Sequence, residues 1–147
     1  MSAADDHGAT GRWEHFPHDA DIGVRAFGAT PEEAFVQAAL AVMAAILDPS
    51  TVRLEQTIDI VLEAPRLDLL LVDWLNALIY EMAERRMVFG AFEVKIEDHH
   101  LKGRARGEVV SRSRHAPAVE AKGATYTELA CVEDRPGLWR AQCVIDV

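Results

Sequence analysis

The sequence predicts a single compact α+β domain, with a mixed or largely antiparallel β-sheet covered by two main α-helices. Its 147 residues fit one domain of ordinary size, and half of them are hydrophobic, enough for a sizeable core. Two segments, 31–47 and 67–86, carry apolar residues at helical spacing, while most of the remainder alternates with the period of strands. The resulting order, β-β-α-β-α-β-β-β-β, lacks the regular strand–helix alternation of a parallel sheet.

Residues 1–11, MSAADDHGATG, are small, polar and acidic and read as a loose tail, which leaves 12–147 as the folded domain. Residues 13–16 form a short first strand, ended by Pro17, which cannot donate to a ladder. In 19–28, Ala20, Ile22, Val24 and Ala26 alternate with Asp19, Asp21, Gly23 and Arg25, a half-buried strand with Asp21 on its polar face. Thr30-Pro31-Glu32-Glu33 is a helix start: threonine caps, proline sits where its missing N–H costs nothing, and glutamate closes a capping box. This helix runs to about Leu47, buries Ala34, Phe35, Ala38, Ala39, Val42, Met43 and Ile46, and stops at Asp48-Pro49-Ser50.

Residues 51–64 alternate most cleanly, with Val52, Leu54, Ile58, Ile60 and Leu62 inward, and predict a long strand with one wet face. After Pro65 the period changes, and Leu67, Leu70, Leu71, Trp74, Leu75, Leu78, Ile79 and Met82 line one face of a second helix, opposite Asp73, Asn76 and Tyr80. Trp74 reads as a core anchor. Strands at 88–97 and 101–110 flank a turn at Asp98-His99-His100; a polar loop, SRSRHAPA, carries His115; and a strand begins within 120–133. Asp134-Arg135-Pro136-Gly137 is a turn by composition, and it feeds a last strand with Trp139, Ala141, Cys143, Ile145 and Val147 on one face and Asp146 on the other.

The net charge of −9 argues against direct, stable binding of nucleic acid, which needs lysine and arginine to replace counterions along the phosphates. A basic protein partner would instead be drawn in. No uncharged apolar run reaches about 18 residues and no secretory pattern opens the chain, so no membrane association is expected and a cytoplasmic location is. Cys131 and Cys143 lack metal-binding spacing and read as reduced core thiols.

Sequence signatures for phosphate loops, dinucleotide folds, zincins and serine hydrolases are missing. What remains is a set of isolated polar residues: His18, Asp21, Asp73, His115, Lys122 and Asp146. Each has an ordinary reading as a solvated or satisfied side chain. Asp146 stands out, since its side chain, its carbonyl and the carboxylate of Val147 fall within one residue. Such oxygen-rich groups suit hard cations, and a further carboxylate such as Asp21 would complete half a coordination shell.

Several fragments occur in one order over nearly the whole chain beyond the tail: HDADIGVRAFG, TPEEAF, LLLVDWLNALIYE, MVFGAFEV, GEVV, RH, EAKGATY and the closing VIDV. Together they resemble the archease family. The resemblance implies a non-catalytic protein cofactor that activates an RtcB-type RNA ligase, the tRNA-splicing enzyme, by promoting its guanylylation and multiple turnover. It also implies a divalent metal site, usually assigned to Ca2+, with the family's metal-binding positions falling on Asp21, Asp146 and Val147. The lysine that contributes to ligase activation falls on Lys122. His18 and His115 match family positions and are carried over only as residues behind the ligands or on the surface. The sequence departs from the family pattern at Ala121, Gly123 and Thr127, which puts a side-chain role at Thr127 in doubt. Two other readings use the same carboxylates or the same acidic surface: a small metal-dependent phosphoesterase, and a chaperone-like modulator of nucleic-acid enzymes.

Overall fold

Two antiparallel sheets arise where a single sheet was expected. The computed structural model describes residues 11–147, so the expected tail lies outside the described residues except for Gly11. β1 (Arg12–His18) reverses through Asp19 and Ala20 into β2 (Asp21–Gly28). Asp19 adopts φ +53°, a left-handed backbone that aspartate tolerates in tight hairpins. The second strand therefore begins two residues later than its alternation implied. Pro17 does not end β1, because β1 is an edge strand and a nitrogen turned outward loses no ladder bond.

α1 (Pro31–Ile46) starts as the sequence predicts. The Glu33 amide donates to Thr30 Oγ1 at 3.1 Å, and the Ala29 amide donates to the Glu33 carboxylate at 2.9 Å. All seven predicted core residues of this helix are buried. A 3-10 turn (Pro49–Thr51) follows, capped by Asp48. β3 (Gln56–Glu63) is shorter than the expected strand. Residues 51–55 lie outside it, and Leu54 is 43% exposed although it was expected inward. Alternation reports which side of a segment is wet; it does not supply a neighbouring strand.

α2 (Leu67–Arg85) ends at Arg86, whose φ of +55° closes the helix in a left-handed cap. β4 (Met87–Glu97) and β5 (His100–Val109) form a hairpin through Asp98 and His99, both at positive φ. The expected polar loop contains one helical turn, α3 (Arg112–His115), capped by Ser111. The expected strand within 120–133 is divided into β6 (Gly123–Ala124) and β7 (Ala130–Arg135), with Glu128 at φ +57° interrupting the extended run. β8 (Leu138–Asp146) ends the described fold.

One sheet has the order β1-β2-β8-β6, with β7 also paired to β8; the other has the order β3-β5-β4. α1 packs against β1, β2 and β8 of the first sheet and β4 of the second, so the core lies where both sheets meet the helices. Trp74 is fully buried there, and its indole N–H donates to the Phe35 carbonyl at 3.1 Å. Gly103 accepts this ring at close range: a Cβ at that position would lie 2.5 Å from Trp74 Cζ3. Both cysteines are free, and burial pushes each thiol up to about 12; Cys143 lies in the core as expected, whereas Cys131 is half-buried against it.

Candidate functional site

Pairing of β2 with β8 brings the two ends of the folded domain together. His18 stands opposite Asp21 across the first hairpin, and Ile22 stands opposite Ile145 across the next ladder. Since Ile145 faces the core, the following position places Asp21 and Asp146 side by side on the outer face. The Val147 amide donates to Asp21 Oδ1 at 3.3 Å, a direct link across 126 residues of sequence. Asp21 is half-buried and Asp146 exposed, so both carboxylates reach solvent.

Lys122 joins the same end through its main chain, whose amide donates to the Asp146 carbonyl at 2.8 Å. Its side chain is exposed. Behind it, Gly123 pairs with Asp146 and Ala124 with Ile145. A two-residue strand is too short to hold itself, and α2 supplies the missing support. The Ala124 amide donates to Asn76 Oδ1 at 2.8 Å, and Asn76 Nδ2 donates to the Ala124 carbonyl at 3.1 Å. Asn76 thus acts as an artificial neighbouring strand for β6. The sequence had placed it only on the polar face of its helix; a lone carboxamide there was the one signal available.

His18 is partly exposed, with Nδ1 4.0 Å from an Asp19 carboxylate oxygen. Asp73, also singled out by sequence, is an exposed residue of α2. His115 does not stand beside the carboxylates or on the surface. Its side chain is fully buried: Nδ1 accepts the Ser111 amide at 2.8 Å, and Nε2 lies 2.9 Å from Glu108 Oε2. An accepting Nδ1 puts the ring proton on Nε2, where it is donated to Glu108. Arg114 grips the same carboxylate at 2.6 and 2.7 Å, and the Arg53 amide donates to it at 2.7 Å. The Arg114 guanidinium is the main cause that holds the Glu108 carboxyl well below the usual carboxylate range, against the opposing effect of burial. The polar composition of 111–118 concealed this, because the burying partner lies on β5.

The outer face of the first sheet is fixed by charge. Arg25 lies over the Phe16 ring at 4.4 Å and donates to Glu14 and Gln142, each at 3.0 Å. Arg140 donates to the same Gln142 oxygen at 2.7 Å and holds Asp134 through two bonds, which lowers the Asp134 carboxyl. This network anchors β1, β2, β7 and β8 relative to one another and leaves Asp21 and Asp146 beyond its end.

Among the described residues, no group of three or more His, Cys, Asp and Glu side chains is placed to hold a metal ion. The Asp21 and Asp146 carboxylates at this sheet end are hard oxygen donors of the kind that suit an oxygen-seeking cation, and two of them cover only part of a shell. No described helix is long and apolar enough to cross a membrane.

Fold and site together define a small α+β protein that gathers carboxylates from its second and last strands at one end of an antiparallel sheet. The model of the Archease protein family (MTH1598/TM1083) matches residues 13–147, and the chain belongs to that family. It is 39% identical over 140 residues to the protein archease of Pyrococcus furiosus, covering 92% of this chain and 99% of that protein. It is 36% identical over 141 residues to the protein archease of Methanosarcina mazei, covering 92% and 96%. The solution structure of Methanobacterium thermoautotrophicum protein 1598 superposes with a TM-score of 0.81 at 31% identity, over 92% of this chain and 98% of that one. A Thermotoga maritima structure described as an archease, possible chaperone, shares the fold with a TM-score of 0.61 at 19% identity, over 91% and 96% of the chains.

Proposed function

We propose that this protein is a non-catalytic cofactor that activates an RtcB-type RNA ligase, promoting its guanylylation and repeated turnover through the Asp21–Asp146 end of the first sheet. The observation that carries this reading is the convergence of Asp21 with Val147, and of Asp146 with Lys122, from segments remote in sequence. The net charge of −9 supports it, because a ligase that binds RNA offers a positive field and opposite fields speed encounter.

Asp21, Asp146 and main-chain oxygen at Val147 would hold a divalent cation, Ca2+ by family resemblance, with water or the partner filling the remaining positions. Such a cation would supply positive charge at a solvent-facing edge. The residues themselves position the docking end: the Val147 amide orients the Asp21 carboxylate, and Asn76 holds the strand that presents Lys122. A cofactor of this kind accelerates a partner's step only by favouring its transition state or a competent conformation.

The test is to combine the protein with a cognate RtcB-type ligase, GTP and Mn2+ and to measure guanylylation and RNA joining with and without it. Asp21→Ala and Asp146→Ala are expected to keep the circular dichroism of the parent and to lower ligase turnover. Variants that activate as well as the parent would remove the carboxylates from the mechanism. An absence of activation by the parent itself would remove the ligase reading.

A further inference from the structure

A cleft of about 570 Å³ lies between the last turns of α2 and the extended segment 117–121, which leads into Lys122. Its floor and walls include Ile79, Met82, Met87, Val110, Pro117 and Val119. Arg86 and Arg112 stand at one side. The two arginines are brought together by the β4–β5 ladder: Met87 pairs with Val109, and the Val110 amide donates to the Arg86 carbonyl at 2.8 Å. Both are exposed, and neither has a carboxylate within ion-pairing distance among the described residues, in a chain where acids outnumber bases 24 to 15. Two exposed guanidinium groups on adjoining backbone segments, both lining the cleft and without a carboxylate, leave their donors available to an outside anion.

The wall opposite α2 adds a second feature. Ala118 donates its amide to the Ile46 carbonyl at 2.7 Å and Lys122 donates to Asp146, whereas the amides of Val119, Glu120 and Ala121 have no hydrogen-bond acceptor among the described residues. An extended backbone with unused donors can align a second extended backbone. Apolar floor, two guanidinium groups without carboxylates and an unpaired extended wall share one complement.

We propose that this cleft is a docking groove for an extended acidic peptide of a protein partner. One apolar side chain of the peptide would rest on the methionine-rich floor, and a neighbouring aspartate or glutamate would meet Arg86 and Arg112. Methionine suits such a floor because its unbranched thioether adapts to differently shaped side chains. Glu120, on the extended wall, favours placing the peptide's acid at the arginine side. The groove is independent of the ligase reading, since it concerns peptide binding by the isolated protein.

The full chain labelled at its methionine ε-methyl groups tests this directly. Met82 lines the groove partly exposed, Met87 lies beneath its floor at 3% exposure, and Met43, 1% exposed and not among the lining residues, serves as an internal control. The probes are a synthetic Leu-Phe peptide flanked by glutamates, the same peptide flanked by lysines, GMP, and a short single-stranded RNA. The acidic peptide is expected to shift the Met82 resonance, to shift Met87 by less and to leave Met43 in place. Arg86→Glu combined with Arg112→Glu is expected to weaken that binding at least tenfold, and Arg112→Glu alone to weaken it by a smaller factor. The proposal is overturned if the acidic peptide produces no shift at millimolar concentration, or if the lysine-flanked peptide binds equally well. Unchanged affinity in folded charge-reversed variants overturns it too, as does a groove that responds to GMP or RNA instead of peptide.

Discussion

Replacing Asn76 by alanine removes both side-chain hydrogen bonds that hold β6 on its free edge, the 2.8 Å bond from the Ala124 amide and the 3.1 Å bond to the Ala124 carbonyl. Asn76 is exposed, so water competes for both groups and each bond contributes toward the lower end of the usual range, together about 1–2 kcal/mol. Because β6 is only two residues long, that loss should appear as local opening and not as global unfolding. A change of this size raises the open population roughly 5- to 30-fold. Hydrogen exchange at the Ala124 amide reads it directly, since Asn76 is its acceptor. Exchange there is expected to accelerate by roughly that factor in Asn76→Ala, while the indole N–H of Trp74 keeps its protection. Asn76→Asp retains an acceptor for the amide but sets a carboxylate against the Ala124 carbonyl, so its effect should be intermediate at the amide. Under the proposed function, ligase activation should decline in the same order as Ala124 protection. Unchanged exchange at Ala124 in Asn76→Ala would refute the clamp, and loss of protection throughout the core would show that Asn76 supports the whole fold.

Two further outcomes test the packing and the charge network. Gly103→Ala places a methyl group 2.5 Å from Trp74 Cζ3, and the indole is pinned by Phe35, so a cost of about 1–3 kcal/mol is expected in denaturant unfolding; in a Trp74→Phe background most of that cost should vanish, and a cost that persists would show that the ring is not the obstacle. Glu14, Glu108 and Asp134 are held below their ordinary values by Arg25, Arg114 and Arg140 respectively, so on acidification the unfolded chain takes up protons first. Their stabilisation is complete above about pH 4.5 and is lost as pH falls through the lowered folded values. Thermal midpoints measured from pH 7 to pH 2.5 should fall over that acid range, with a shallower fall in Glu108→Gln; a parallel fall in both proteins would remove Glu108 from the cause.

Local chemistry was the legible part of the sequence. Thr30 and Glu33 specify a helix start through groups three residues apart, and the buried faces of α1 and α2 follow from spacing alone. Trp74 announced itself as a core residue because its helical stripe is apolar on both sides of it. Periodicity could place Asp21 and Asp146 on polar faces, but it holds no information on which strands pair, so their adjacency rested on carboxylate chemistry and family resemblance, and the β2–β8 ladder supplies it. The strand expected to begin within 120–133 is present but divided in two, for a similar reason. Both pieces pair with β8, but Glu128 at φ +57° breaks the extended run between them, and alternation along the chain does not register such a break. His115 was misplaced because neighbouring polarity describes the loop, whereas burial is set by Glu108 on another element.

Segment 111–125 explains how these features share one frame. Glu108 fixes its start through Arg114 and His115, with a bidentate guanidinium and a ring proton on one carboxylate. The Ala118 amide then ties it to the end of α1, and Lys122, Ala124 and Thr125 tie it to β8 and α2. Between these anchors the chain forms the wall of the apolar cleft, and just beyond the wall it presents Lys122 beside Asp146. An extended segment without a neighbouring strand over most of its length keeps its position only if it is fastened at intervals, because each free residue regains backbone entropy of about 1–2 kcal/mol. The buried Glu108 cluster and the Asn76 clamp are those fastenings. A chain that holds its last strand and its 120s at one sheet edge is therefore fastened by one polar cluster inside the fold, at Glu108, and by one polar side chain at its surface, Asn76, close to the carboxylates.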